Sequence, residues 1–202
     1  MRREKDTAAP QADTVKPASE GAGPLLQRDY WAVVRDCRCS APEVAALVRE
    51  RFPDFPPKEL VVFTREDGAA PLQVGECLGV AIRGAADTAV RVVHADDHSV
   101  TLGTVEGHPE AGRITFGAYP NARGDVVFHI RSRARSGSRL HRHGFLAAGE
   151  PMQTNTWTDF IDRLAHAVGE GVVGAIHADT REVEEEEADR ACEAPTFIAR
   201  GA

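Results

Sequence analysis

The sequence predicts an α+β fold in which a curved antiparallel sheet wraps around a long C-terminal helix. Three observations lead there. Between residues 60 and 134 six short strand-like runs follow one another, separated by turn residues. The segment Thr154 to Val168 then places Trp157, Phe160, Ile161, Leu164 and Val168 at helical spacing. A strand and a short capped helix precede both. A sheet that is apolar on one face has to cover that face, and the amphipathic segment is the element suited to do so.

Residues 1–23 are rich in Ala, Pro, Gly and charge without apolar periodicity, so they read as a disordered leader. Leu25 to Arg38 carries Tyr30, Trp31, Val33 and Val34 and reads as the first strand. Ser40-Ala41-Pro42-Glu43 has the pattern of a capping box, with Pro42 tolerated in the first turn. The helix it starts sets Val44, Leu47, Val48 and Phe52 on one stripe and ends at Pro53, Pro56 and Pro57.

The six strands are expected at Leu60 to Thr64, Glu76 to Gly84, Thr88 to His94, Ser99 to Val105, Arg113 to Tyr119 and Asp125 to Ala134. Asp67-Gly68, Gly84 to Asp87, Asp96-Asp97, His108 to Gly112 and Asn121 to Gly124 mark turns. In the last strand Val126, Phe128 and Ile130 alternate with Val127, His129 and Arg131, which puts His129 on the solvent face. Thr154, Asn155 and Thr156 all qualify as N-cap of the long helix, and Gly169 is placed to end it. Residues 171–178 fit either a short strand or more helix. The acid-rich segment from 181 to 202 reads as a solvated tail, which leaves one folded domain over 24–180.

The net charge of -7 argues against nucleic acid as the main partner, since duplex binding draws on a strongly basic surface. No apolar run approaches the ~20 residues of a membrane span, and the polar opening lacks the apolar core of a secretory signal, so the expected location is cytoplasmic. Cys37, Cys39, Cys77 and Cys192 are scattered and read as reduced thiols, with Cys37 and Cys39 two apart on the first strand.

Chemistry concentrates in the turn Gly107-His108-Pro109-Glu110-Ala111-Gly112. His108 titrates near neutrality and Glu110 can pair with it, so the two are the candidate acid/base pair, while a purely structural turn would use the same residues. Arg113, Tyr119, Thr154, Asn155, Trp157, Asp159 and Phe160 are the candidate ligand-binding residues. Arg131, Arg133, Arg135, Arg139 and Arg142 form a candidate anion patch, because no acidic residue lies between Val126 and Ala148. His141 and His143 alone do not complete a metal site, and none is expected.

The run Gly103-Thr104-Val105-Glu106-Gly107-His108-Pro109-Glu110-Ala111-Gly112, with Phe116 on the next strand, resembles the motif of the family named domain of unknown function nineteen-ninety. Where that family often has two acidic residues after the second glycine, this chain has Arg113-Ile114. The element order over residues 28–170 is in turn similar to the START-like (SRPBCC, helix-grip) superfamily, which includes pollen-allergen-like proteins and aromatic polyketide cyclases. The resemblance implies a helix-grip fold around a small hydrophobic or amphiphilic ligand, with no cofactor. Cyclisation, dehydration or hydrolysis is the chemistry it leaves open to His108 and Glu110. The alternative is a non-catalytic interaction module that meets an acidic partner through the basic 131–143 patch.

Overall fold

The computed structural model of the chain describes residues 14–65, 71–137 and 139–184, the helical stretch 139–150 by its backbone. The leader before residue 14, the Asp67-Gly68 turn, Cys192 and the acidic segment from 185 onward lie outside the described residues, as do the side chains of Arg139, His141, Arg142 and His143.

Strand β1 (Ala22–Val34) is followed by helix α1 (Ala41–Arg51). Six strands come next: β2 (Val61–Thr64), β3 (Cys77–Ile82), β4 (Thr88–Ala95), β5 (Ser99–Thr104), β6 (Glu110–Pro120) and β7 (Val126–Ser136). Helix α2 (Arg139–Val168) and strand β8 (Val172–Val183) complete the fold. The strands form one antiparallel sheet in the order β2-β3-β4-β5-β6-β7-β1-β8. Sequential hairpins account for β2 through β7, and β1 and β8 close the far edge by pairing with β7 and with each other. Register shifts at Trp31/Val33 and Val92/His94 add local bends that help the sheet curve.

The α+β, helix-grip architecture is therefore observed, and all six expected meander strands appear within a few residues of their expected bounds. Two local expectations are corrected, and one open alternative is decided in favour of a strand. The long helix begins at Arg139 and runs through Pro151, so Thr154, Asn155 and Thr156 are interior residues and not caps. Proline removes one internal N–H, a loss that a long helix rich in good helix formers such as Leu146, Ala147 and Ala148 absorbs. Residues 172–183 form a strand, because the outer edge of β1 offers unpaired backbone that Val172, Val173 and Ile176 can join. Cys37 and Cys39 sit in the turn after β1, where Cys37 Sγ donates to the Cys39 carbonyl at 3.2 Å.

The core lies between the concave face of the sheet and the two helices. Glu43 caps α1 by accepting the Ser40 N–H at 2.7 Å, as the capping-box pattern predicts, and α1 buries Val44 and Val48. From α2, Phe160, Ile161 and Leu164 are fully buried. Phe160 is the hub of an aromatic cluster: its ring centroid lies 5.1 Å from Phe116, 5.4 Å from Phe55, 5.6 Å from Phe52 and 5.9 Å from a stacked Phe128. This cluster clamps the C-terminal half of α2 to the sheet. Beside the cluster, next to the 152–157 stretch of the helix, a cavity opens between helix and sheet.

Candidate functional site

The cavity measures about 660 Å³ and lies between the concave face of the sheet and the 152–157 stretch of α2. Its walls are mostly apolar: Val61, Phe63, Val80, Val90, Leu102 and Ile114 from the sheet, with Met152 and Trp157 from the helix. The β3–β4 turn, from Arg83 to Ala86, and the β5–β6 turn, with Gly107, His108, Pro109 and Glu110, both border it, at the same end of the antiparallel strands.

Local backbone chemistry shapes that turn. Gly107 takes φ +87°, a left-handed conformation that glycine adopts without steric cost, and the His108 N–H donates to the Val105 carbonyl at 3.1 Å. Gly112 has φ +147°, and a Cβ there would run into the Arg133 carbonyl oxygen on β7. Both N–H and C=O of Gly112 are bonded to the Thr104 hydroxyl, at 2.9 and 3.2 Å. The two glycines thus let the hairpin fold tightly against β7, and the Gly137 N–H closes it by donating to the Pro109 carbonyl at 2.7 Å.

His108 and Glu110 share this end of the cavity but do not form the expected side-chain pair. The Glu110 N–H donates to His108 Nδ1 at 3.0 Å. Since a backbone N–H can only donate, Nδ1 is the acceptor and the proton of the neutral ring sits on Nε2. Burial away from water holds the imidazole down to about 4, while the Glu110 carbonyl, 3.2 Å from Nδ1, acts to raise it. The Glu110 carboxylate instead meets Arg28 of β1, Oε1 to Nη1 at 3.5 Å, and accepts from Gln153 Nε2 of α2 at 2.7 Å. Burial raises its pKa, while Arg28 and Gln153 act to lower it. Arg28 is itself 2% exposed and stands behind Glu110 instead of lining the cavity.

Of the residues expected to bind ligand, Trp157 lines the cavity and Arg113 borders it. Strand alternation nevertheless sends the Arg113 side chain to the convex face with its cross-strand partner Arg133. Phe160 is core, Tyr119 lies at the other end of β6, and Thr154, Asn155 and Asp159 are not part of the lining. Arg28, Gln153, Ser132 and Met152 were not foreseen. Arg28 carried a legible signal, because it has the same strand parity as the core residues Tyr30, Ala32 and Val34. A charge on the apolar face of a strand calls for a buried counter-ion. Nothing in the sequence names Glu110 as that counter-ion.

The arginines of β7 line the convex face. Arg131 Nε donates to Asp29 Oδ1 at 2.6 Å, Arg133 Nε to Gln27 Oε1 at 2.7 Å, and Arg135 Nη1 to the Gly23 carbonyl at 2.8 Å. The acidic neighbour missing from the local sequence is therefore supplied by β1. His129, expected on the solvent side, is on the convex face but only 6% exposed. Trp31 and Tyr119 pack around it, its Nε2–H donates to Asp29 Oδ1 at 2.7 Å, and its Nδ1 meets the Tyr119 hydroxyl at 3.3 Å. Burial alone would raise the Asp29 pKa, but the hydrogen bonds from His129, Arg131 and Gln27 outweigh it and hold the carboxyl at about 2.

A family model described as Domain of unknown function (DUF1990) matches residues 46–166, more than half of the chain. The chain belongs to this family. No functionally curated protein matches it. Among solved structures it is similar to norcoclaurine synthase from Thalictrum flavum in complex with dopamine and hydroxybenzaldehyde, at 11% identity over 83% of this chain and 96% of that one, with a TM-score of 0.50. A Thermobifida fusca protein aligns at 15% identity over 74% and 97% of the two chains (TM-score 0.49). The ginseng major latex-like protein 151 from Panax ginseng aligns at 15% over 72% and 99% (TM-score 0.46). At these identities the likeness concerns the fold. Among the described residues, no helix is long and apolar enough to cross a membrane.

Proposed function

We propose that this DUF1990 protein is a START-like binder of a small hydrophobic or amphiphilic molecule, held in the cavity between sheet and α2. The observation that carries the proposal is the cavity itself. Its volume of about 660 Å³ falls within the ~300–1,000 Å³ typical of small-molecule sites, and its walls are mostly apolar with a small number of polar groups among them. The norcoclaurine synthase of similar fold holds small aromatic molecules, which is consistent with such a use of the architecture.

The geometry favours binding over turnover. Proton transfer near neutral pH requires a group that titrates there. His108 is held neutral, its Nδ1 is committed to the backbone, and the Glu110 carboxylate is committed to Arg28 and Gln153. The interaction-module alternative draws less support, because Arg131, Arg133 and Arg135 are each engaged by β1.

Native mass spectrometry of the protein purified from cells, with titration of a neutral fluorescent probe, tests the proposal. A retained small molecule or saturable 1:1 probe binding is expected. The variant Ile114→Trp, which fills the cavity from β6, is expected to keep the fold and lose the binding. Probe binding that is undiminished in I114W, or no binding at all to the wild type, would overturn it.

A further inference from the structure

We propose that the cavity takes a neutral alcohol head-first, its hydroxyl held between the Glu110 carboxyl group and the His108 ring. This rests on the ligand-binding function proposed above and specifies the chemistry of the ligand's polar end.

Most polar side chains along the cavity are already satisfied. The Thr104 hydroxyl is bonded to both backbone groups of Gly112, and the Thr156 hydroxyl donates to the Met152 carbonyl at 2.8 Å. Two groups at the turn retain capacity that reaches the cavity. One is the Glu110 carboxyl, whose side chain is 13% exposed and whose oxygens each carry one bond, to Arg28 at 3.5 Å and to Gln153 at 2.7 Å, against two lone pairs. The other is His108 Nε2–H, which has no partner among the described residues once Nδ1 is occupied by the Glu110 N–H. One acceptor and one donor therefore border the same cavity, two residues apart in the chain. Beyond them the lining is mostly apolar, broken by Arg83 at the β3–β4 turn and by Ser132 on β7, whose buried hydroxyl is a further polar contact along the wall.

A ligand head placed there has to donate to a carboxyl oxygen and accept from an imidazole N–H. A hydroxyl does both with a single atom. A carboxylate accepts only, and would set its charge against Glu110 with Arg28 on the far side of that residue. An ammonium donates only, and would bury a second cation at a carboxylate that Arg28 already occupies, at the desolvation cost of any buried charge. An ether accepts from His108 and leaves Glu110 unanswered. The remainder of the ligand, lying against Val61, Phe63, Val80, Leu102 and Trp157, is hydrocarbon in character.

The test is displacement of a neutral fluorescent probe from the full-length protein at pH 7.5 by four ligands of matched length: dodecan-1-ol, 1-methoxyundecane, dodecanoate and dodecylammonium. Dodecan-1-ol is expected to bind about tenfold or more tightly than the other three, the scale of one buried hydrogen bond lost or one charge desolvated. His108→Asn keeps an acceptor at the position of Nδ1 and so keeps the turn, but removes the Nε2 donor. It is expected to weaken dodecan-1-ol several-fold. The double variant Arg28→Met/Glu110→Leu removes the ion pair together and is expected to bind the alcohol and the ether within about twofold of one another. Equal binding of alcohol and ether by the wild type, tighter binding of either charged ligand, or an alcohol preference that survives in the double variant would overturn the inference while leaving the cavity as a binding site. If the probe binds and none of the four displaces it, this inference falls and the proposed function stands; if the probe itself does not bind, both fall.

Discussion

Replacing His108 by asparagine isolates the proton linkage of the β5–β6 turn. Asparagine can accept the Glu110 N–H where Nδ1 accepts it now, so the turn keeps its closing bond and loses only the titrating ring. In the unfolded chain the histidine binds a proton below its ordinary value of 6.5, whereas in the native state it does so only below about 4. Between these limits the unfolded state carries more protons, so stability contributed by this residue rises with pH across the window and is lost as pH falls from 6.5 toward 4. Integrating the two titrations from pH 7.5 to pH 4.5 gives a loss of about 2.5 kcal/mol. With urea m-values of about 1–3 kcal/mol/M, the wild-type midpoint should fall by roughly 1–2.5 M more than that of H108N over the same interval. Urea titrations at the two pH values, followed by tryptophan fluorescence and by circular dichroism, measure this directly. Parallel pH dependence in the two proteins would refute the burial of a neutral imidazole at this position.

Three further outcomes follow from the packing and the ion pairs. Arg28→Met leaves the Glu110 carboxylate buried without its cation and should cost about 3 kcal/mol, a fall in Tm of about 6–12 °C, while R28M/E110L should be much less destabilised than the sum of its single variants in a double-mutant cycle. Phe160→Ala empties the centre of the aromatic cluster and should cost about 3–5 kcal/mol in urea unfolding, since four phenylalanine rings pack around it. Asp29→Asn should remove about 2 kcal/mol of stability at neutral pH. The Asp29 carboxyl is held at about 2 against an ordinary 3.8, so the wild-type advantage is present above 3.8 and should shrink as pH falls toward 2 in paired denaturation curves.

The sheet meander was legible because it is written in local terms. Each strand from β2 to β7 has β-branched residues bounded by Gly, Asp, Asn or Pro, and adjacent strands of a hairpin need no distant partner to be recognised. β8 was not legible. Its glycines at 171 and 174 and its mixed polarity offer no strong period, and it exists because β1 presents a free edge to it. The start of α2 was misplaced for the same kind of reason: Gly144, Gly149 and Pro151 carry the local signals of a connector, yet the backbone stays helical across them.

The turn at His108 and Glu110 follows the same division. Sequence alone determined that two titratable side chains sit on a tight hairpin, since Gly107, Pro109 and Gly112 impose the backbone whatever surrounds it. Only the tertiary structure decided their partners. It turned His108 onto the backbone of Glu110 and brought Arg28 from 82 residues away and Gln153 from 43 residues away to the carboxylate. It likewise converted a run of arginines with no acidic neighbour into a row bonded to β1 through Asp29, Gln27 and Gly23. Backbone conformation is set by steric terms within a few residues, whereas the ionisation and pairing of a side chain depend on burial and on charges delivered by strands and helices that are distant in the chain.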